Sequence, residues 1–170
     1  MTIFYEFDGK LYANITNKCP CACTFCIRKN SDGVAGSGSL WLEHEPDFNE
    51  IKEAFDGFDK TGLSELVFCG YGEPMMRAEL LLKTAEYVKE KTNMIIRVNT
   101  NGLIPFMNPD FDISLLKYKI DKVSIILYIM PYSQRNTNIL RSFLTATNFF
   151  LAKSAVHDGE GYVGNIHLYP

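Results

Sequence analysis

Cys19, Cys23 and Cys26 stand in a Cys-x3-Cys-x2-Cys pattern within Asn17-Lys-Cys-Pro-Cys-Ala-Cys-Thr-Phe-Cys-Ile-Arg28. Gaps this short put three thiolates on one compact loop, close enough to hold a single polynuclear metal site. Thiolates favour soft metals, so zinc and iron–sulfur are the leading candidates. The four-cysteine set of an electron-transfer cluster is absent at this spacing. A cluster held by three cysteines keeps one iron open to an external ligand, which points to a substrate-binding cluster and an enzyme. Structural zinc is the rival. It is four-coordinate, often between paired Cys-x2-Cys knuckles. Its fourth ligand here would be Cys21, Cys69 or a histidine, and His44, His157 and His167 show no ligand spacing. A non-catalytic zinc- or cluster-binding module is therefore the alternative to the enzyme.

The elements that position this loop follow from periodicity. Leu11, Ala13 and Ile15 alternate along a first strand over 11–16, and the cysteine loop comes directly after it. A Gly/Ser-rich stretch over 31–39 reads as a surface segment. Asp47 and Glu50 form a capping-box pattern, and Ile51, Ala54, Phe55 and Phe58 recur at helical spacing, which predicts a helix over 48–58. A short apolar strand over 65–69 ends at Gly70-Tyr-Gly-Glu-Pro74. A helix follows from about Arg77 to Lys91, with Leu81, Ala85 and Val88 inward. A strand over 94–98 closes with Asn99-Thr-Asn-Gly102. A short helix near 113–117, a strand over 122–127, a helix over 137–155 and a strand over 161–168 complete the chain. Strands alternating with helices imply parallel βαβ units, whose ligands bind beyond the carboxyl ends of the strands. The cysteine loop, Gly70–Pro74 and Asn99–Gly102 each follow a strand and should converge on one rim.

Composition sets the limits. With 170 residues, 46% hydrophobic and 22% charged, the chain suits one domain with a sizeable core. The formal net charge of −3 supplies no electrostatic reason to expect nucleic acid or an anionic membrane as partner. The first residues lack a basic start, and no uninterrupted apolar stretch reaches the length of a membrane span. Five cysteines, four of them within eight residues, do not form a framework of disulfide loops. Reduced cytoplasm is the expected location.

Each segment also has an ordinary reading. Gly70 and Gly72 let backbone approach a ligand without side-chain hindrance, or simply form a strand-to-helix turn in which Pro74 starts the helix. Asn99, Thr100 and Asn101 offer amide and hydroxyl groups to a polar ligand, although Asn-Gly is also a common turn pair. Ser124 is a small polar residue within a strand. Cys69 reads as a buried small hydrophobe. Cys21 sits among the ligands at a spacing that does not fit, and Arg28 and Lys29 read as solvated loop residues.

The cysteine triplet, with aromatic Phe25 before its last member, resembles the signature of the radical S-adenosylmethionine superfamily. Asn14–Pro20, Phe68–Pro74 and Asn99–Gly102 resemble most closely the TatD-linked radical SAM proteins, over about residues 5–127. Glycyl-radical activases are more distant. The resemblance implies a partial (β/α) barrel of α/β class with a mostly parallel sheet. It implies a [4Fe–4S] cluster on Cys19, Cys23 and Cys26, with S-adenosyl-L-methionine chelating the open iron. Reductive cleavage of that cofactor would produce a 5′-deoxyadenosyl radical that abstracts hydrogen from an unknown small-molecule or peptide substrate. The reductant would be of the flavodoxin or ferredoxin kind. Phe25, Gly70, Gly72, Glu73, Asn99, Asn101 and Ser124 would contact the cofactor, with Glu73 or a nearby carbonyl accepting from its amine. No residue is singled out as catalytic.

After about Leu127 the resemblance ends. The codons open to Ile126–Pro131 can spell Ser-Leu-His-Asn-Ala two bases out of register, close to how such relatives continue. The expectation is one domain over 1–170, in which 128–170 is atypical, its tail frameshifted from about residue 126 and the barrel incomplete at that end.

Overall fold

A computed structural model describes residues 1–23, 26–34, 36–128 and 165–169, with the backbone alone for 126–128 and 165–169. Strands β1 (Phe4–Phe7) and β2 (Lys10–Ala13) form an antiparallel hairpin. Asp8 and Gly9 both have positive φ, 50° and 66°, at its two-residue turn. That backbone matches the right-handed twist of the strands and is why Asp-Gly serves there. The first strand expected over 11–16 thus begins a residue earlier and ends at Ala13, and β1 precedes it.

The rest of the sheet is parallel. Strands β2, β3 (Glu65–Phe68), β4 (Ile95–Thr100), β5 (Lys122–Tyr128) and β6 (Asn165–Tyr169) pair in sequence order. The six strands lie in the order β1-β2-β3-β4-β5-β6, an open sheet among the described residues. The α/β class and the mostly parallel, partial barrel expected from the sequence are what the chain forms. None of its helices, among the described residues, is long and apolar enough to cross a membrane.

Two helices cover one face. Helix α1 (Phe48–Gly57) starts at a complete capping box: Asp47 accepts from the Asn49 and Glu50 amides, and the Glu50 side chain accepts from the Asp47 amide. Helix α2 (Ala78–Lys91) follows a 3-10 turn over Pro74–Arg77. Leu11, Ala13, Leu66, Phe68, Ile96 and Val98 on the sheet join Ile51, Phe55, Leu81, Ala85 and Val88 on the helices in one core. Each such large apolar side chain contributes about 1.5–3 kcal/mol by leaving water. A second cluster of Tyr5, Leu40 and Tyr71, with Tyr12 and Val34 packed on it, lies apart from this core.

Three elements depart from expectation. Strand β4 extends through Asn99 and Thr100, because their backbone stays in the ladder opposite Ser124 and Ile125. The short helix expected near 113–117 is a single 3-10 turn over Ile113–Leu116, and a four-residue helix α3 (Ile104–Met107) precedes it. The helix expected over 137–155 lies outside the described residues, as does most of the atypical tail.

Candidate functional site

Strands β2, β3 and β4 end side by side, so the chain leaving each one meets the others. The Glu73 amide donates to Lys18 O at 2.8 Å, and the Tyr71 amide donates to the Asn14 side-chain oxygen at 3.3 Å. Asn101 Nδ2 donates to Cys21 Sγ at 3.4 Å. The cysteine loop, the Gly-rich segment and the Asn-rich segment therefore share one rim.

Asn14 holds this junction. Its amide, fully buried, donates to Thr2 O and Leu40 O while its oxygen faces Tyr71. Asn17 bonds the Leu42 backbone twice in the same way, so the two asparagines tie the 40–42 segment to the loop. Gly70 and Gly72 are required by this closeness. A β-carbon on Gly70 would fall 2.6 Å from Asn14 Cγ, and one on Gly72 2.8 Å from Lys18 O. What they approach here is the neighbouring strand end.

The four loop cysteines are all partly exposed free thiols within electrostatic reach of one another. Cys21 shares a hydrogen bond with Cys19, which draws the Cys19 thiol below its ordinary range and pushes Cys21 above it. Burial, then the charges of Cys19 and Cys26, raises Cys23. Arg28 is not a solvated residue. Its guanidinium turns back on the carbonyls of Cys21, Asn17 and Tyr71, and its charge helps lower Cys19. Lys29 is exposed, as expected. Among the described residues no three His, Cys, Asp or Glu side chains converge on a single ion position. Phe25 lies outside the described residues.

Glu73 is 6% exposed and its carboxylate is already engaged. Oε1 accepts from the Met75 amide and the Thr100 hydroxyl, and Oε2 from the Asn101 amide, at 2.7–3.0 Å. Burial pushes this carboxyl up to about 7 from 4.5, against the lowering effect of those three donors. The folded chain therefore holds the Glu73 proton more tightly than the unfolded chain. This group's contribution to stability falls as pH rises from about 4.5 to 7. Glu73→Gln removes that slope and sets an amide N–H2 against a donor, at a cost of about 1–3 kcal/mol. Urea unfolding of the cluster-free chain between pH 4.5 and 8 checks this; equal slopes for both chains refute it.

Asn99 lies at the end of β4 beside Ser124 of β5, its register partner, which is buried. Its Oδ1 is buried and has no hydrogen-bond partner among the described residues. Its side chain bonds the Cys69 thiol, which burial raises and this bond lowers. Cys69 follows the last residue of β3 and donates its amide to Ala13 O at 3.1 Å, so it is a rim residue and not an apolar strand position. Asn101 turns to the cysteine loop through Cys21, not through an expected ligand.

Sequence reasoning passed over Asn14, Asn17 and Arg28 as structural members of the site. The two asparagines follow the end of β2, ahead of the cysteines, a place where buried amides commonly satisfy backbone. Nothing local marks Arg28, because the folding of its own loop brings it Asn17 and Cys21 and the neighbouring Gly-rich segment brings it Tyr71.

The residues present suit an iron–sulfur cluster with an organic ligand. Thiolates are its ordinary donors, an orphaned buried acceptor waits at Asn99, and a cluster spreads its ligands over several irons, so convergence on one point is not needed. Comparison with curated proteins and with solved structures found no match. A family model described as "Radical SAM superfamily" matches residues 13–132, taking in the cysteine loop, both later rim segments and β5. By that match over most of its length, the chain belongs to the radical SAM superfamily.

Proposed function

We propose that this chain binds a [4Fe–4S] cluster through Cys19, Cys23 and Cys26 and uses it to cleave S-adenosyl-L-methionine reductively. The observation that carries this reading is the meeting of the cysteine loop with the Glu73–Asn101 rim, within a chain of this superfamily. When bound, the cluster would supply the electron that breaks the sulfonium C–S bond, releasing methionine and the 5′-deoxyadenosyl radical that takes hydrogen from substrate.

The protein's own residues orient and enclose these groups. Asn99 Oδ1 would accept from a ribose hydroxyl and so relieve a buried, unpaired acceptor. Ser124 lies next to it on the ladder and would support the same contact. Glu73 has both oxygens occupied by the rim, so it would shape the seat while a backbone carbonyl near Gly70–Gly72 accepts from the cofactor amine. Kinship with TatD-linked proteins is proposed on the three rim segments, and a flavodoxin- or ferredoxin-like donor in the cytoplasm on the need for a low-potential electron. The frameshifted tail is also a proposal; an intact single reading frame on resequencing, with close relatives sharing this tail, removes it.

Anaerobic reconstitution with iron and sulfide tests the activity. The expected result is a reduced cluster whose EPR signal changes on adding S-adenosyl-L-methionine, with 5′-deoxyadenosine formed under dithionite. One tightly held zinc, with no such response, overturns the proposal.

A further inference from the structure

The sheet face opposite α1 and α2 carries polar rows where a filled barrel would carry layers of bulky aliphatics. Register defines the rows. Tyr12, Val67, Arg97 and Lys122 are successive partners across β2, β3, β4 and β5. Two residues further along their strands, on the same face, lie Asn99 and Ser124. At about 3.3 Å rise per residue, the Arg97 row sits about 7 Å below Asn99.

The charges of this row do not balance. Among the described residues, the carboxylate paired with both Arg97 Nε, at 3.5 Å, and Lys122 Nζ, at 3.6 Å, is that of Glu65, which is 8% exposed. Both pairs use the same oxygen, and neither that oxygen nor Arg97 Nε has a hydrogen-bond partner among the described residues. Among the described residues, two cations thus share one acidic partner through loose contacts, which leaves a net positive charge and an unpartnered Arg97 Nε. Buried polar groups ordinarily find partners, and an unmade bond at a charged group is costly. An oxyanion accepting from both Arg97 and Lys122 would supply them. The Tyr12 ring, half-buried and stacked on Tyr5, borders the row.

We infer that Arg97 and Lys122 form a seat for the carboxylate or phosphate of a small-molecule substrate, one layer below the cofactor contact at Asn99. This assignment rests on the radical SAM reading above and gives its unknown substrate a chemical class. The opposing carboxylate of Glu65 holds the two cations in place and limits the affinity.

Calorimetry on the cluster-loaded full chain tests the seat, with inorganic phosphate and malonate as probes at matched ionic strength. Saturable binding is expected, tighter for whichever oxyanion the substrate bears. Arg97→Gln and Lys122→Gln should each weaken it at least about tenfold, the equivalent of one charge-assisted hydrogen bond. Arg97→Lys should keep part of it, and Glu65→Gln should tighten it. Saturating S-adenosyl-L-methionine should leave it unchanged. No saturable binding, an equal response to chloride, or unaltered binding in both glutamine variants overturns the inference. So does competition with S-adenosyl-L-methionine, which would make the seat that of the cofactor's own carboxylate. If Arg97→Gln does not fold, the more exposed Lys122→Gln decides. Measuring 5′-deoxyadenosine in the same samples separates the two proposals. Its formation without oxyanion binding sinks the seat alone, and oxyanion binding without it sinks the activity alone.

Discussion

Cys23→Ala leaves the reconstituted chain with background iron and sulfide and lowers 5′-deoxyadenosine formation by more than about 100-fold. Outer-shell partners of a metal site alone cost about 10–100-fold, so loss of a direct ligand exceeds that range. Cys19→Ala and Cys26→Ala behave alike, because each of the three thiolates would hold a different iron. Cys21→Ala and Cys69→Ala keep the cluster. Cys21 bonds Cys19 and Asn101 in the chain as described, yet it lies outside the x3–x2 spacing. Iron and sulfide analysis with EPR on the five variants measures this. A cluster that survives Cys23→Ala but not Cys21→Ala would reassign the ligand set.

Gly72→Ala destabilises the chain by about 3 kcal/mol and lowers Tm by about 6–12 °C. The added methyl would lie 2.7 Å from the Thr16 carbonyl carbon and 2.8 Å from Lys18 O. These are backbone atoms, and the Glu73 amide holds Lys18 O in place at 2.8 Å, so no side chain can swing aside. Relief requires the cysteine loop to move away from the rim, and the substitution should slow cluster uptake as well. Gly57→Ala is the control, since a β-carbon there meets nothing within 4 Å. Thermal unfolding followed by circular dichroism reads both, and a Gly72→Ala chain that melts with the parent removes the close approach from the account of the site.

Much of the frame was legible because local physics dictates it. The Asp47–Glu50 capping box and the spacing of Ile51 and Phe55 set α1, and the 3.6-residue recurrence of Leu81, Ala85 and Val88 set α2. The apolar runs that became β3 and β5 needed only their β-branched and aromatic content. Asp8-Gly9, taken with the aromatic-rich Phe4–Phe7 before it and Leu11–Ala13 after it, is the sequence signal of the first hairpin. The sequence predicts β4 only to Val98 because Asn99 is a poor strand former and Thr100, a good one, stands between two asparagines. The ladder partners of Asn99 and Thr100 on β5 outweigh that preference, since β propensity yields to pairing context.

Residue type and spacing alone therefore determined the class of chemistry: three thiolates on one loop, and polar segments after successive strands of a parallel sheet. Only the tertiary structure decided what each polar group touches. Glu73 turned out to be bound on both oxygens, Arg28 to fold back on the loop, Asn99 to keep an unpaired acceptor, and Arg97 and Lys122 to share Glu65. Ligand spacing within a loop is a short-range property that a linear chain encodes directly. The hydrogen bonds that join the rim segments reach partners 25 to 80 residues apart, and only the register of the sheet brings those together.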